Sequence, residues 1–202
     1  MDREGYIRKY VEGIEEAPSP QMVLGKIVHA ALEDPTDRWI EELKKHDLEH
    51  KKLVVRKLLT KIHSKRPPEA EITMTAETPS GIRLLAILDG IDRPNRELIE
   101  YKTSEVEEMW NQRIADEHSQ LSFYAYIYRL SHFSYFKEIR LYYLNTLKGN
   151  IKTYKTTRGP KDIEFIANRI ETVVQEMKDV GIWEKRMSRK DRMEKMMTPL
   201  FT

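Results

Sequence analysis

Cysteine is absent from the 202 residues, which removes disulfides, thiolate zinc sites, cysteine nucleophiles and cysteine-held iron–sulfur clusters together. No window reaches the run of about 18 uninterrupted apolar residues that a membrane span needs. The first stretch, MDREGYIRKYVEGIEE, is charged throughout. It has neither the apolar run nor the small-residue cleavage site of a secretory signal, so a cytoplasmic location is expected. An excess of one charge is missing too. Lys and Arg number 35 against 33 Asp and Glu, leaving +2, so bulk charge announces no nucleic-acid binder and any such role rests on local patterning.

What the chain does contain is a globular mixture. Hydrophobic residues make up 40% and charged residues 34%, with a mean hydropathy of −0.65, which suits neither a disordered tail nor a membrane protein. The length suits one domain with a sizeable core. A single domain is therefore expected over residues 1–202, with a helical N-terminal part at about 19–64 and a basic tail at about 183–202.

Ser19 can cap a helix whose first turn holds Pro20, and Met22, Val23, Ile27, Val28, Ala31 and Leu32 keep a helical period up to Glu33. From residue 36 to about 64 runs a charged amphipathic stretch with Trp39, Leu43, Leu48, Val55, Leu58 and Ile62 among its apolar members. It predicts two helices or one bent one. Past Lys65-Arg66-Pro67-Pro68 the texture changes, and residues 69–77, 82–92 and 97–103 read as three antiparallel strands. A helix carrying Ile114, Leu121, Tyr124 and Tyr128 follows, then a hairpin over 136–147 and 150–156 turned at Lys148-Gly149, then a long helix over about 160–177. The order predicts an α+β fold, a mixed central sheet flanked by helices.

Two acids and a lysine interrupt the apolar strands, with Asp92 as a third acid at the end of the first: Leu84-Leu85-Ala86-Ile87-Leu88-Asp89-Gly90-Ile91-Asp92, and, past a turn, Leu98-Ile99-Glu100-Tyr101-Lys102-Thr103. Charges in such surroundings are unfavourable unless paired or metal-bound. A turn centred on Asn95-Arg96 pairs Asp89 with Lys102 and Ile91 with Glu100. Alternation then projects Asp89, Glu100 and Lys102 together, while Asp92 points away. A one-residue slip exchanges the two aspartates, so Asp92 stands as the alternate. Carboxylates converging beside an amine suit a hard divalent cation, Mg²⁺ or Mn²⁺, with open positions for water and a phosphate oxygen. The substrate this implies is a phosphodiester; a structural ion pair is the plainer alternative.

Asp89 followed by Glu100-Tyr101-Lys102 resembles the signature of PD-(D/E)xK nucleases, whose core is an α/β/α restriction-endonuclease-like fold. Three further pieces are similar to the RecB-like branch, which includes CRISPR-associated adaptation nucleases and the nuclease domains of recombination helicases. Gly25-Lys26-Ile27-Val28-His29, with Leu32-Glu33 trailing, is similar to its Gly-x-x-x-His helix. Gly90-Ile91-Asp92 is similar to its acid strand if Asp92 is the acid, and Gln120-Leu121-Ser122-Phe123-Tyr124 to its Gln-Leu-x-x-Tyr helix. The resemblance implies a metal-dependent deoxyribonuclease. In it His29, Asp89, Glu100 and the Tyr101 backbone carbonyl would ligate Mg²⁺ or Mn²⁺, Lys102 would position or activate the attacking water, and Gln120 and Tyr124 would orient DNA or the site. An imidazole ligand makes Mn²⁺ a good activator. Glu71 is a further candidate acid. Many members of the branch hold an iron–sulfur cluster on four cysteines, and with no cysteine none is expected here. Lys57, Lys61, Arg66, Arg189 and Lys190 are candidates for an electropositive DNA path. The expected partner is DNA, as single strands or duplex ends, with no membrane partner; a homo-oligomer or a helicase or repair partner is compatible. The alternative role is a catalytically weak DNA-binding subunit of a larger nuclease–helicase complex.

Overall fold

The cap the sequence suggests begins the first helix: Ser19 Oγ accepts from the Met22 N–H at 3.2 Å, and Pro20 takes the first helical position. This helix, α1 (Pro20–Glu33), buries Leu24, Ile27, Val28, Ala31 and Leu32 along one stripe. The computed structural model describes residues 14, 17–34 and 36–181, so the basic tail with Arg189 and Lys190 lies outside the described residues. Pro18–Ile166 forms one compact unit, and the described residues from Ala167 onward belong to a second. The fold and the site described here belong to the first.

The amphipathic stretch after α1 becomes α2 (Arg38–Lys45), a 3-10 turn (Glu49–Lys51) and α3 (Lys52–Ile62). Trp39, Leu43, Leu48, Val55, Leu58 and Ile62 are buried in one cluster with the inner face of α1 and with Ile99, Tyr101, Tyr142 and Leu144 from the sheet. At Gly25 α1 comes so close to the sheet that an added Cβ would stand 2.8 Å from Thr103 Oγ1. Glycine permits that approach.

The strands are β1 (Glu69–Glu77), β2 (Arg83–Asp92), β3 (Glu97–Ser104), β4 (Glu138–Asn145) and β5 (Asn150–Thr156), in sheet order β1-β2-β3-β4-β5. All neighbours are antiparallel except β3 and β4, which run parallel. Parallel pairing demands a crossover, and residues 105–137 supply it. The sequence predicts one helix there. The structure has two, α4 (Gln112–Glu117), whose cap Asn111 Oδ1 accepts from the Ile114 N–H at 2.9 Å, and α5 (Ser119–His132). His118 between them is extended, at φ −68° and ψ 115°. Apolar periodicity alone does not mark this joint, because Ala115 and Leu121 are both buried on either side of it. The last helix, α6, spans Pro160–Asp179.

Leu98, Ile139, Leu141 and Tyr143 are as buried as the alternate residues that face α1–α3, so both faces of the sheet centre are covered. Among the described residues six α-helices and a five-stranded mixed sheet thus make an α+β fold of the restriction-endonuclease-like kind.

The β2–β3 register differs from the one the sequence suggests. Gly90 pairs with Ile99, Ile91 with Leu98 and Asp92 with Glu97, which centres the turn between Pro94 and Asn95. The reason is local: Asp92 folds back over the turn, its Oδ1 accepting from the Asn95 N–H at 3.1 Å and its Oδ2 from Asn95 Nδ2 at 2.8 Å. A shift of two positions leaves every side chain on its own face, so the alternation argument is unaffected.

Candidate active site

Beyond the Gly90–Ile99 pair, β2 and β3 part. Asp89 then aims Oδ2 at the freed Tyr101 N–H, 2.7 Å away. Its other oxygen meets His29 Nδ1 at 3.3 Å. His29 reaches it from α1, its ring edge-on to Tyr101 with centroids 6.2 Å apart. Burial opposes charge on both groups, but the hydrogen bond and mutual attraction outweigh it. The Asp89 carboxyl is held below its ordinary range and the His29 imidazole above its own.

Glu100 is 2% exposed and its Oε1 receives Lys102 Nζ at 2.7 Å. Burial first, then the nearby Asp89 charge, push the Glu100 carboxyl up to about 7, with Lys102 pulling the other way. Its Oε2 is buried without any hydrogen-bond partner. Lys102 Nζ also donates to Gln120 Oε1 at 2.6 Å, and Gln120 Nε2 donates to Tyr124 Oη at 2.5 Å. Gln120 and Tyr124 lie one turn apart in α5 and so share a face. A chain of contacts therefore runs Glu100, Lys102, Gln120, Tyr124.

On β1, Glu71 sits opposite Asp89, and neither joins the ladder that otherwise pairs Glu69–Glu77 with β2. Glu71 adopts φ +51°, a left-handed conformation unfavourable by about 1 kcal/mol or more for a residue with a Cβ. Its carboxyl hydrogen-bonds that of Glu33, the last residue of α1. Burial and then the Glu71 charge and hydrogen bond lift Glu33 to about 7.

The structure therefore brings together His29, Asp89, Glu100, Lys102, Gln120 and Tyr124, with Glu71 alongside. It does not bring in Asp92, which caps its turn. Of the basic candidates, Lys57 Nζ donates to the Lys148 carbonyl and Lys61 Nζ to the Gly149 carbonyl, both at 2.9 Å, so they brace the β4–β5 turn. Arg66 Nη2 donates to the Ala31 carbonyl at 3.1 Å.

Sequence reasoning passed over three neighbours of the site. Glu33 was legible, being one helical turn after His29. His118, its ring tilted at 44° to that of Trp110 with centroids 4.8 Å apart and its Nδ1 buried and unpartnered, lies close enough to Lys102 that burial and then that charge lower its pKa. Arg158, in the loop after β5, is 3% exposed, and no spacing rule singles it out.

The donor set, carboxylate oxygens, an imidazole and a strand carbonyl, is of the kind that holds Mg²⁺ or Mn²⁺. The unpartnered buried Oε2 of Glu100 is the atom that a cation would satisfy. Among the described residues no group of three or more His, Asp or Glu side chains is placed to hold a metal ion; Asp89 is engaged by His29 and Tyr101, and Glu100 by Lys102.

No curated protein matches the sequence. A solved structure from Eubacterium rectale, named "Putative exonuclease", superposes with a TM-score of 0.62 at 12% identity, covering 91% of this chain and 75% of that one. At that identity the likeness is one of fold. A second structure, named SSO0001, covers 88% of this chain and 87% of its own at 15% identity, with a TM-score of 0.42. The family model of the PD-(D/E)XK nuclease superfamily matches residues 4–199, nearly the whole sequence. The chain belongs to the PD-(D/E)XK nuclease superfamily.

Proposed function

We propose that this nuclease is a divalent-metal-dependent deoxyribonuclease acting on single-stranded or end-processed DNA in repair, recombination or CRISPR-type DNA processing. The observation that carries the reading is the pairing of a buried, partnerless Glu100 oxygen with a Lys102 ammonium fixed between Glu100 and Gln120. His29, Asp89, Glu100 and the Tyr101 carbonyl would hold Mg²⁺ or Mn²⁺, which supplies Lewis acidity at the phosphoryl group and a lower pKa for water.

The protein's own groups divide the remaining work. Lys102 has three N–H donors and spends two on Glu100 and Gln120. The third is left for the attacking water or a phosphate oxygen. Water oxygen bonds to phosphorus, the bond to the leaving ribose oxygen breaks, and the water proton ends on that oxygen or in solvent. The products are a phosphate monoester and a hydroxyl. A fixed ammonium where negative charge gathers favours this transition state more than the ground state. Gln120, held by Tyr124, is the second acceptor that fixes the Lys102 ammonium beside Glu100.

The test is cleavage of 5′- and 3′-labelled single- and double-stranded DNA with Mg²⁺, Mn²⁺ or EDTA. Lys102→Ala should lower kcat by about 10²–10⁴-fold, the range for a positioned proton-transfer or charge-stabilising group, with DNA binding retained. Unchanged cleavage would remove the assignment. If wild type binds DNA and cuts nothing, the second reading stands, a DNA-binding subunit of a larger nuclease–helicase assembly.

A further inference from the structure

We propose that Arg158 is a positioning residue for Lys102, acting through the α4–α5 joint and Gln120; this rests on the nuclease reading above. Its guanidinium is buried, at 3% exposure, and makes five hydrogen bonds, none to a carboxylate. Nε donates to Ser122 Oγ at 2.7 Å; Nη1 donates to Thr156 Oγ1 and to the Thr157 carbonyl, both at 2.8 Å; Nη2 donates to the Ala115 carbonyl at 2.8 Å and the His118 carbonyl at 3.3 Å. Burying an arginine without an anion in contact is unfavourable, and burial draws its pKa down while Asp162 and Asp116 oppose at longer range. A site that keeps such a group uses its shape, a planar fork that reaches several acceptors at fixed angles.

Those acceptors define the joint. Ala115 lies in the last turn of α4, where carbonyls lack helical partners. His118 is the extended residue between the helices, and Ser122 belongs to the first turn of α5. Holding all three from the end of β5, Arg158 fixes both the bend and the rotation of α5 about its axis. Gln120 sits inside that clamped span, and its 2.6 Å contact with Lys102 Nζ survives only if the rotation holds. One residue's turn of an α-helix moves a side chain by about 100°.

The test is a double-mutant cycle on DNA cleavage with wild type, Arg158→Lys, Gln120→Ala and the double variant. Lysine keeps the charge but cannot serve the same set of acceptors. Arg158→Lys should lower kcat by about tenfold or more, leaving KM and the DNA Kd within about twofold, whereas in the Gln120→Ala background the same change should alter kcat by less than about twofold. Fold-losses that multiply in the double variant would overturn the proposal and leave Arg158 a merely structural residue. A raised Kd with unchanged kcat would overturn it in favour of a DNA contact. A wild type that does not cleave removes the nuclease reading and this inference together. A cleaving wild type with multiplying losses removes the inference alone. If Arg158→Lys fails to fold, as judged by its melting curve, Ser122→Ala enters the cycle with the same criteria, since it deletes the acceptor of Nε and, besides that, only the long 3.5 Å bond from Ser122 Oγ to the His118 carbonyl.

Discussion

Asp89 and Asp92 stand three residues apart on β2 and meet opposite surroundings. Asp89 faces His29 and the Tyr101 N–H, whereas Asp92 is a solvent-facing turn cap whose carboxyl is held down by its two bonds to Asn95. Asp89→Asn should therefore lower kcat by at least about 10²-fold, while Asp92→Asn leaves cleavage within about threefold and lowers the melting temperature instead; the reverse ranking would return the role to Asp92. Glu33 supports a pH prediction. Its folded-state pKa is raised from 4.5 to about 7, so the folded protein holds a proton there that the unfolded chain has released. Stability thus falls as pH climbs from about 4.5 through 7. Melting temperatures in EDTA should show Glu33→Gln gaining on wild type over that window. Parallel curves would mean that Glu33 is not protonated in the folded protein over that window. Alternation in the sequence favoured Asp89 and kept Asp92 only as the alternate, because a one-residue slip would exchange them and the turn that Asp92 caps is not visible in the sequence. The pairing of Glu33 with Glu71 joins the end of α1 to a residue 38 positions later in the chain, which no local pattern encodes.

Most elements were legible because their signals are local: the Ser19–Pro20 cap, the Lys148-Gly149 turn, and the alternation along β2, where 84, 86 and 88 are buried and 83, 85 and 87 exposed. The β2–β3 register and the α4–α5 joint were misread because both are decided by side-chain-to-backbone bonds, from Asp92 and from Arg158. Close approaches were likewise hidden. Gly90 lies under Pro67, with an added Cβ only 2.1 Å from the ring. At Gly25 two effects compete. Alanine in a helix gains up to about 1 kcal/mol over glycine, but forcing a methyl against Thr103 costs about 1–3 kcal/mol. Gly25→Ala alone should therefore lower the melting temperature and displace His29, with a loss of activity. In a Thr103→Ala background the sign of the stability change should reverse. Chemical denaturation of the four proteins checks this; Gly25→Ala destabilising both backgrounds equally would refute it.

On the scale of the whole molecule, the charge balance of +2 means that any DNA affinity comes from local placement. Lys57 and Lys61 are spoken for by the β4–β5 turn, so Lys57→Met with Lys61→Met should lower the melting temperature yet leave the slope of log Kd against log salt unchanged. Each lost phosphate contact would instead reduce that slope by about 0.7–0.9. Four described elements supply the proposed centre: His29 comes from α1, Asp89 from β2, Glu100 and Lys102 from β3, and Gln120 and Tyr124 from α5, while Arg158 follows β5. The parallel pairing of β3 with β4 ties these pieces to one event. That pairing is closed only when the crossover over 105–137 has been laid down and β4 has docked, a non-local step that is slow compared with forming hairpins or helices. During synthesis, then, the acid-bearing strands emerge long before the residue that steadies α5. A chain paused between them holds the acids and the lysine but not the arrangement that would let it cut. In the order of events on the ribosome, competence to hydrolyse nucleic acid arrives late.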